Sequence, residues 1–431
     1  MGLQHVSREL KAAAAAVMRR ADELGAISDE AGRLTRTFHS PAMQRANALV
    51  GEWMRAAGLE VREDAAFNLI GRWPSPRRGA KTLLVGSHLD TVRDAGKYDG
   101  PLGVLVALAA VEELRATGVT LPFHIEVIGF SDEEGVRYQT TYLGSRALAG
   151  TLTKRDLAAI EERGIERAKR KRGEFFAYAE VHIEQGPVLE KEGLALGVVS
   201  GIAGQTRARV EIIGMAGHAG TTPMAMRRDA LCAAAEFILA VERCGVTATV
   251  GQIEAQPGAS NVIPGKVVLS VDVRHLEILK RVAAERALRK DLAAIAKRRG
   301  VTAKWLPVQS TPSVRCDAEA VKIWSAVVDS VQGRAVTLPS GAGHDAAALS
   351  VVCPVSMLFV RCKGGISHHP AESVKAADVA AAIAALQQFV LALAVIPPPR
   401  SSAPLRLNEA DLNAEAQRAQ RNAKQRNSSS P

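Results

Sequence analysis

Residues 129–136 read GFSDEEGV, and Asp132, Glu133 and Glu134 stand side by side just after FHIEVIGF (123–130), a run with the composition of a buried strand. Adjacent carboxylates repel, and burial raises their pKa values, so a positive partner is expected beside them. Other residues able to hold a cation lie in similar short segments. SHLDTV offers His88 and Asp90, KYDGPLG offers Asp99, VHIEQGP offers His182 and Glu184, and GGISHHP offers His368 and His369. The chain has ten histidines, and several of them fall in Gly-flanked loops of this kind. Imidazole and carboxylate without thiolate suit zinc, manganese, cobalt or nickel. Even five ligands from this set exceed what one hydrolytic centre can use while keeping a position open for water. Two ions about 3.5–4 Å apart, bridged by one carboxylate, would use them all. One glutamate of the pair then binds metal, and the other is free to take a proton from water.

The elements that must position these residues have an α/β pattern. TLLVGSH (82–88) reads as a short buried strand feeding a loop, GVLVALAAVEELRATG (103–118) as a helix stopped by Gly118, and FHIEVIGF as the next strand. In a mostly parallel sheet, sites gather at the carboxyl ends of strands, which is where His88 and the acid triplet fall. Helical periodicity also marks residues 8–24 and 41–57. From about 201 the texture changes. RARVEIIG, a helix at 228–243, TATVGQIEA, KVVLSVDVR, a helix at 277–299 and TAKWLPV give β-α-β-β-α-β, the order of the ferredoxin-like split motif. The α/β texture resumes with a helix near 317–332 and the strand VSMLFVR. The expected organisation is a discontinuous catalytic domain (1–200 and 312–396), an inserted domain (201–311) and a polar tail (397–431) expected to be disordered. The charge run IEERGIERAKRKRG (160–173) is expected to be a solvated helix face.

Composition narrows the function classes. Hydrophobic residues make up 47% and charged residues 23% of the 431, which fits a globular protein with a large core. The net charge of +10 would allow a polyanionic partner, but aromatics are only 4% and no nucleic-acid module is present, so neither a nucleic-acid nor a membrane partner is expected. The five cysteines are scattered, without CxxC, which suits a reducing compartment and a cytoplasmic location. No signal peptide or membrane span is expected.

GSHLDTV, KYDGPLGV, GFSDEEGVRY, LGSRALAG, HIEQGPVLE, GHAGTTPM, SNVIPG, SGAGHDA and GGISHHPAE, in this order, resemble the dinuclear-metal amidohydrolases of the M20 peptidase superfamily. The likeness is to the carbamoylase branch, which holds N-carbamoyl-L-amino-acid hydrolases, β-ureidopropionases and allantoate amidohydrolases. DAGKYDG, GIAGQTR, MAMRRDA, SGAGHDA and FVRCKGGISH most resemble the last of these. The resemblance implies a zinc-peptidase-like catalytic domain with the inserted domain as lid and dimerisation module, and two divalent ions per subunit, manganese foremost and zinc, cobalt or nickel as substitutes. It implies Asp99, Glu134 and His368 on one metal and Asp99, His88 and His182 on the other, with Glu133 as general base and Asp90 orienting the His88 ring. His368, rather than His369, matches the ligand position. Gln185, His218, Asn261 and Arg274 match positions that hold substrate, Arg274 by gripping a carboxylate. In relatives the residue matching His218 reaches the partner subunit's site in a homodimer and polarises the scissile carbonyl.

Overall fold

The computed structural model describes residues 7–395; the polar stretch from 397 lies outside them. The described residues divide into two compact units, one made of the chain up to Gly201 and from Arg315 on, the other of Ile202–Val314.

The larger unit is built on a nine-stranded mixed sheet. Its four central strands lie in the order His124–Phe130, Thr82–His88, Phe175–Ile183 and Val355–Val360, and all three neighbouring pairs are parallel. Towards the edges the pairing turns antiparallel, as where Leu69–Trp73 meets His124–Phe130 and Leu196–Ile202 meets Val355–Val360. The four central strands are almost wholly buried, which is why all but Phe175–Ile183, with its Glu180 and His182, read as largely apolar runs rather than alternating ones. Helices Arg8–Gly25, Pro101–Ala116, Ala318–Gln332 and Ala376–Val395 pack together, and Pro101–Ala116 also packs on the central strands. Residues 101–111 of this helix are apolar on every face because neighbours cover them all round, so truncating Leu105 or Leu108 to Ala would cost about 2–5 kcal/mol. Among the described residues one helix, Ala376–Val395, is long and apolar enough to cross a bilayer. In the fold it gives Val379, Ile383, Leu386 and Phe389 to this core, and Phe389 stacks on Trp324 at 4.0 Å.

The expected helix over 160–173 does not form. Only Ile165–Ala168 makes a single 3-10 turn, and Ile165 and Ala168 point inward. Arg170 clamps the buried carboxylate of Glu126 with two hydrogen bonds of 3.0 and 3.2 Å, and Glu174 as well. Arg170 thus shares with Arg72 the neutralising of Glu126, and Gly164, at φ +84°, breaks the run before a helix can extend.

The second unit is an antiparallel sheet. Its strands lie in the order Ile253–Gln256, Lys266–His275, Gly204–Ile213 and Thr302–Thr311, with Thr247–Thr249 also pairing to Lys266–His275. Helices Ala230–Glu242 and Ile278–Arg299 cover one face, so Val267, Leu269, Val271 and Val273 point into a separate core. The alternation leaves Asp272 and Arg274 on the opposite face.

Candidate metal centre

The central strands deliver most of the candidate ligands. His88 ends Thr82–His88, Glu133 and Glu134 follow His124–Phe130, and His182 lies near the end of Phe175–Ile183. Parallel pairing places His88 beside Phe130 and His182 beside Phe359. His88, Asp99 and His182 present ligand atoms within 4.8 Å of one another, and so do Asp99, Glu134 and His368. Asp99 belongs to both groups. Its Oδ1 lies 3.1 Å from His182 Nε2 and 3.8 Å from His88 Nε2, and its Oδ2 lies 3.2 Å from His368 Nε2, which is itself 3.2 Å from Glu134 Oε1. Glu133 forms a group of the same spread with His88 and Glu134. His369, by contrast, is exposed and its Nδ1 accepts the Ala371 N–H, capping a turn.

Two local features hold this arrangement. Asp90 accepts the N–H groups of Glu133 (3.0 Å) and Glu134 (3.2 Å), so its carboxylate anchors the acidic loop. Its main-chain carbonyl, at 3.1 Å, is closer to His88 Nδ1 than its carboxylate is, at 3.5 Å. Asp90 thus faces the His88 ring with both its carbonyl and its carboxylate, the carbonyl being the nearer. Gly100 has φ +83°, and a Cβ there would lie 2.4 Å from His88 Cε1, so only glycine lets the Asp99 turn lie against the imidazole.

The residues fit a divalent cation. His88 Nδ1 donates to the Asp90 carbonyl and His182 Nδ1 to the Ile183 carbonyl at 2.9 Å, which leaves both Nε2 lone pairs facing Asp99. Asp99 Oδ1 is buried and has no hydrogen-bond partner among the described residues. Lone pairs converging on a carboxylate oxygen repel unless a positive charge sits between them. The electrostatics show the same demand for positive charge: burial pushes His88 and His182 down, but their acidic neighbours Asp90 and Asp99 outweigh it and raise both, so without an ion the imidazoles take up protons instead. Burial pushes Asp99 up, but His182 and His368 outweigh it and hold it well below the usual carboxylate range. Asp99 and Glu134 hold His368 up at about 10. Burial raises Glu133 well above an ordinary glutamate, with Glu134 adding to the rise and His88 opposing it.

The residues matched to substrate contacts are placed differently. Gln185, at φ +56°, donates to Asp99 Oδ2 at 2.7 Å and to Ser367 Oγ at 3.2 Å, so its amide is engaged with the shared carboxylate. In the second unit, His218 is exposed and pairs across a two-residue ribbon with Val262. Its Nδ1 accepts the N–H groups of Gly220 (3.0 Å) and Thr221 (3.2 Å), which places the ring proton on Nε2. Asn261 is exposed. Arg274 pairs with Asp272 through two hydrogen bonds of 3.1 and 2.9 Å.

Several residues beside the centre, buried or half-buried, carry no assigned role in the sequence reading. Ser367 donates to Asp99 Oδ2. Glu180 accepts from Ser87 Oγ (2.8 Å) and the Ala346 N–H (3.0 Å), and with His182 and His344 it forms a further close group. Burial pushes His344 well below an ordinary imidazole, and its Nε2 meets Ser340 Oγ at 2.7 Å. Burial and the nearby Asp99 push Glu372 up to about 7. The motifs SGAGHDA and GGISHHPAE contain His344, Ser367 and Glu372, but the motifs alone do not say what these residues touch.

The sequence profile of peptidase family M20/M25/M40 matches residues 84–392. Allantoate deiminase 2 of Glycine max is 41% identical over 420 residues, covering 85% of this chain and 87% of that protein. N-carbamoyl-L-amino acid amidohydrolase of Geobacillus stearothermophilus is 40% identical over 394 residues, covering 86% of this chain and 96% of that protein. Among solved structures, an amidase of the hydantoinase/carbamoylase family from Burkholderia multivorans superposes with a TM-score of 0.84 at 30% identity, covering 89% of this chain and 98% of that one.

Proposed function

The chain belongs to peptidase family M20/M25/M40, and we propose that it hydrolyses the ureido C–N bond of allantoate, giving ammonia, carbon dioxide and ureidoglycine. The observation that carries the hydrolytic reading is the sharing of Asp99 between two ligand groups with a buried glutamate, Glu133, alongside, and the 41% identity to the Glycine max allantoate deiminase supports the substrate. The same groups would serve an N-carbamoyl-L-amino acid, a second reading supported by the 40% identity to the Geobacillus enzyme.

In this proposal His88, Asp99 and His182 hold one divalent ion, Asp99, Glu134 and His368 hold the other, and manganese is the native metal. The bound pair would acidify water and polarise the ureido carbonyl. Glu133 takes the proton of the attacking water and passes it to the terminal nitrogen as the C–N bond breaks, so ammonia leaves and a carbamate remains, which loses carbon dioxide. A raised carboxyl suits this shuttle, because it holds a proton well enough to deliver it. The His218 Nε2 proton, fixed by the two backbone donors to Nδ1, is available to the carbonyl oxygen as negative charge develops there. Arg274 exchanges Asp272 for the substrate carboxylate, and Asn261 and the carbonyl oxygen of Gln185, whose amide N–H groups stay on Asp99 and Ser367, hold the substrate.

The proposal extends to organisation. Residues 1–200 and 312–396 form the catalytic domain, and 201–311 form a ferredoxin-like lid that dimerises, so that His218 serves the partner subunit's site. All five cysteines are free, which fits a reducing cytoplasm. The test is ammonia release by manganese-reconstituted protein from allantoate and a panel of N-carbamoyl-L-amino acids. Preference for allantoate supports the first reading, preference for a carbamoyl amino acid the second, and release from none of them contradicts both.

A further inference from the structure

Glu372 is 4% exposed, yet it lies beside the shared carboxylate of Asp99. Its Oε1 accepts two main-chain N–H groups, from Tyr98 at 2.7 Å and from Asp99 itself at 2.9 Å. Its own N–H donates to the His369 carbonyl at 3.0 Å, closing the turn that follows His368. One side chain thus ties the main chain that aims Asp99 to the turn that aims His368, across 273 residues of sequence. The fit leaves no slack. A Cβ on Gly96, two residues before Tyr98, would lie 2.3 Å from Glu372 Cβ. Burying a second carboxylate next to Asp99 is costly, and nothing in the proposed reaction uses it as acid or base.

We propose that Glu372 is a positioning residue for the metal centre, which sets the aim of Asp99 and the placement of His368 through its paired backbone hydrogen bonds. This rests on the reading of Asp99 as the shared metal ligand. The carboxylate oxygen, not the negative charge, is the working part, since an amide oxygen can accept the same two N–H groups.

The test is manganese binding to metal-stripped full-length protein, followed by competition with a chelating dye, together with the thermal midpoint in chelator. Glu372→Ala should raise the manganese concentration for half-saturation about 10–100-fold, the range for losing a residue that orients metal ligands. Glu372→Gln should stay close to the parent. Gly96→Ala, which leaves Glu372 intact but pushes it away, should weaken binding as Glu372→Ala does, and it carries the test if Glu372→Ala does not fold. A merely structural residue would lower the thermal midpoint without moving the half-saturation point, and that result would overturn the proposal. So would a Glu372→Gln variant as weak as Glu372→Ala. Asp99→Asn is the control. Parent-like manganese binding there removes the shared-ligand reading itself, whereas loss of binding there with parent-like Glu372→Ala removes only the role of Glu372.

Discussion

The larger unit and the inserted unit hold their candidate residues in opposite ways. In the larger unit Asp99 and His88 come from one short stretch and His182 from a distant strand, all three are at most 5% exposed, and with the more exposed His368 they meet at one carboxylate. In the inserted unit His218 and Asn261 are exposed, and His218 and Arg274 are held by close sequence neighbours: Gly220 and Thr221 for one, Asp272 for the other. A metal centre must be rigid before the ion arrives, because ligand distances tolerate little error. A substrate-recognition group must stay able to exchange its partner. The contrast between convergent burial and local capping is what the proposed division of those two tasks would require.

The largest effect should come from attacking the first region. Chelation should abolish hydrolysis, and manganese, cobalt or nickel should restore it, because the ligand set is free of thiolate. Full activity in protein shown metal-free by elemental analysis would break the comparison at its root. Next in size is His218→Ala, expected to lower turnover about 10²–10³-fold, the scale for losing one donor to a developing oxyanion, with bound metal unchanged. If His218 serves the partner subunit's site, mixing inactive His218→Ala and Glu133→Gln subunits makes half the dimers mixed with one intact site of two, so about a quarter of parental activity should return. No recovery despite verified subunit exchange would return His218 to its own subunit or remove it from catalysis.

A smaller loss is expected for Arg274→Ala. Removing a charge-assisted clamp costs about 2–3 kcal/mol, or roughly 30–140-fold in kcat/KM, and the loss should vanish for a ureido substrate lacking the carboxylate. An equal loss for both substrates would mean that the arginine serves only Asp272. The smallest effect concerns that pair. Burial raises Asp272, but the Arg274 guanidinium outweighs it, so its folded-state carboxyl titrates below the ordinary value. Such a group stabilises the fold above the unfolded pKa, about 3.9, and loses that contribution as pH falls through the folded value. Asp272→Asn should therefore flatten the acid dependence of amide protection along Lys266–His275, read by hydrogen exchange between about pH 6 and pH 3. An unchanged slope would mean that the ion pair contributes nothing there.

What sequence could reveal follows the same division. Two of the parallel strands, Thr82–His88 and His124–Phe130, were legible because buried strands read as short, largely apolar runs, and His88 and the acid triplet sit at their ends. His182 was legible as a residue, but the strand that carries it, Phe175–Ile183, was not, since its polar Glu180 and His182 interrupt the apolar signal. Glu180 is buried because Ser87 and the Ala346 N–H satisfy it, and both come from distant segments. Glu372 and Ser367 are hidden for the same reason: their partners lie 273 and 268 residues away. The engagement of Gln185 with Asp99 and the backbone role of Asp90 are details of rotamer and main-chain path, which residue type does not encode. At 160–173 the charge pattern suggested an exposed helix, while the structure uses Arg170 to neutralise Glu126.

The central claim is that Glu134 binds metal while its neighbour Glu133 moves the proton. Counting bound manganese and measuring turnover in Glu133→Gln and Glu134→Gln tests it most directly. Glu133→Gln should keep about two ions per subunit and lose turnover on the order of 10²–10⁴-fold, whereas Glu134→Gln should lose an ion. Loss of metal in Glu133→Gln, with full metal in Glu134→Gln, would contradict the account and exchange the two roles.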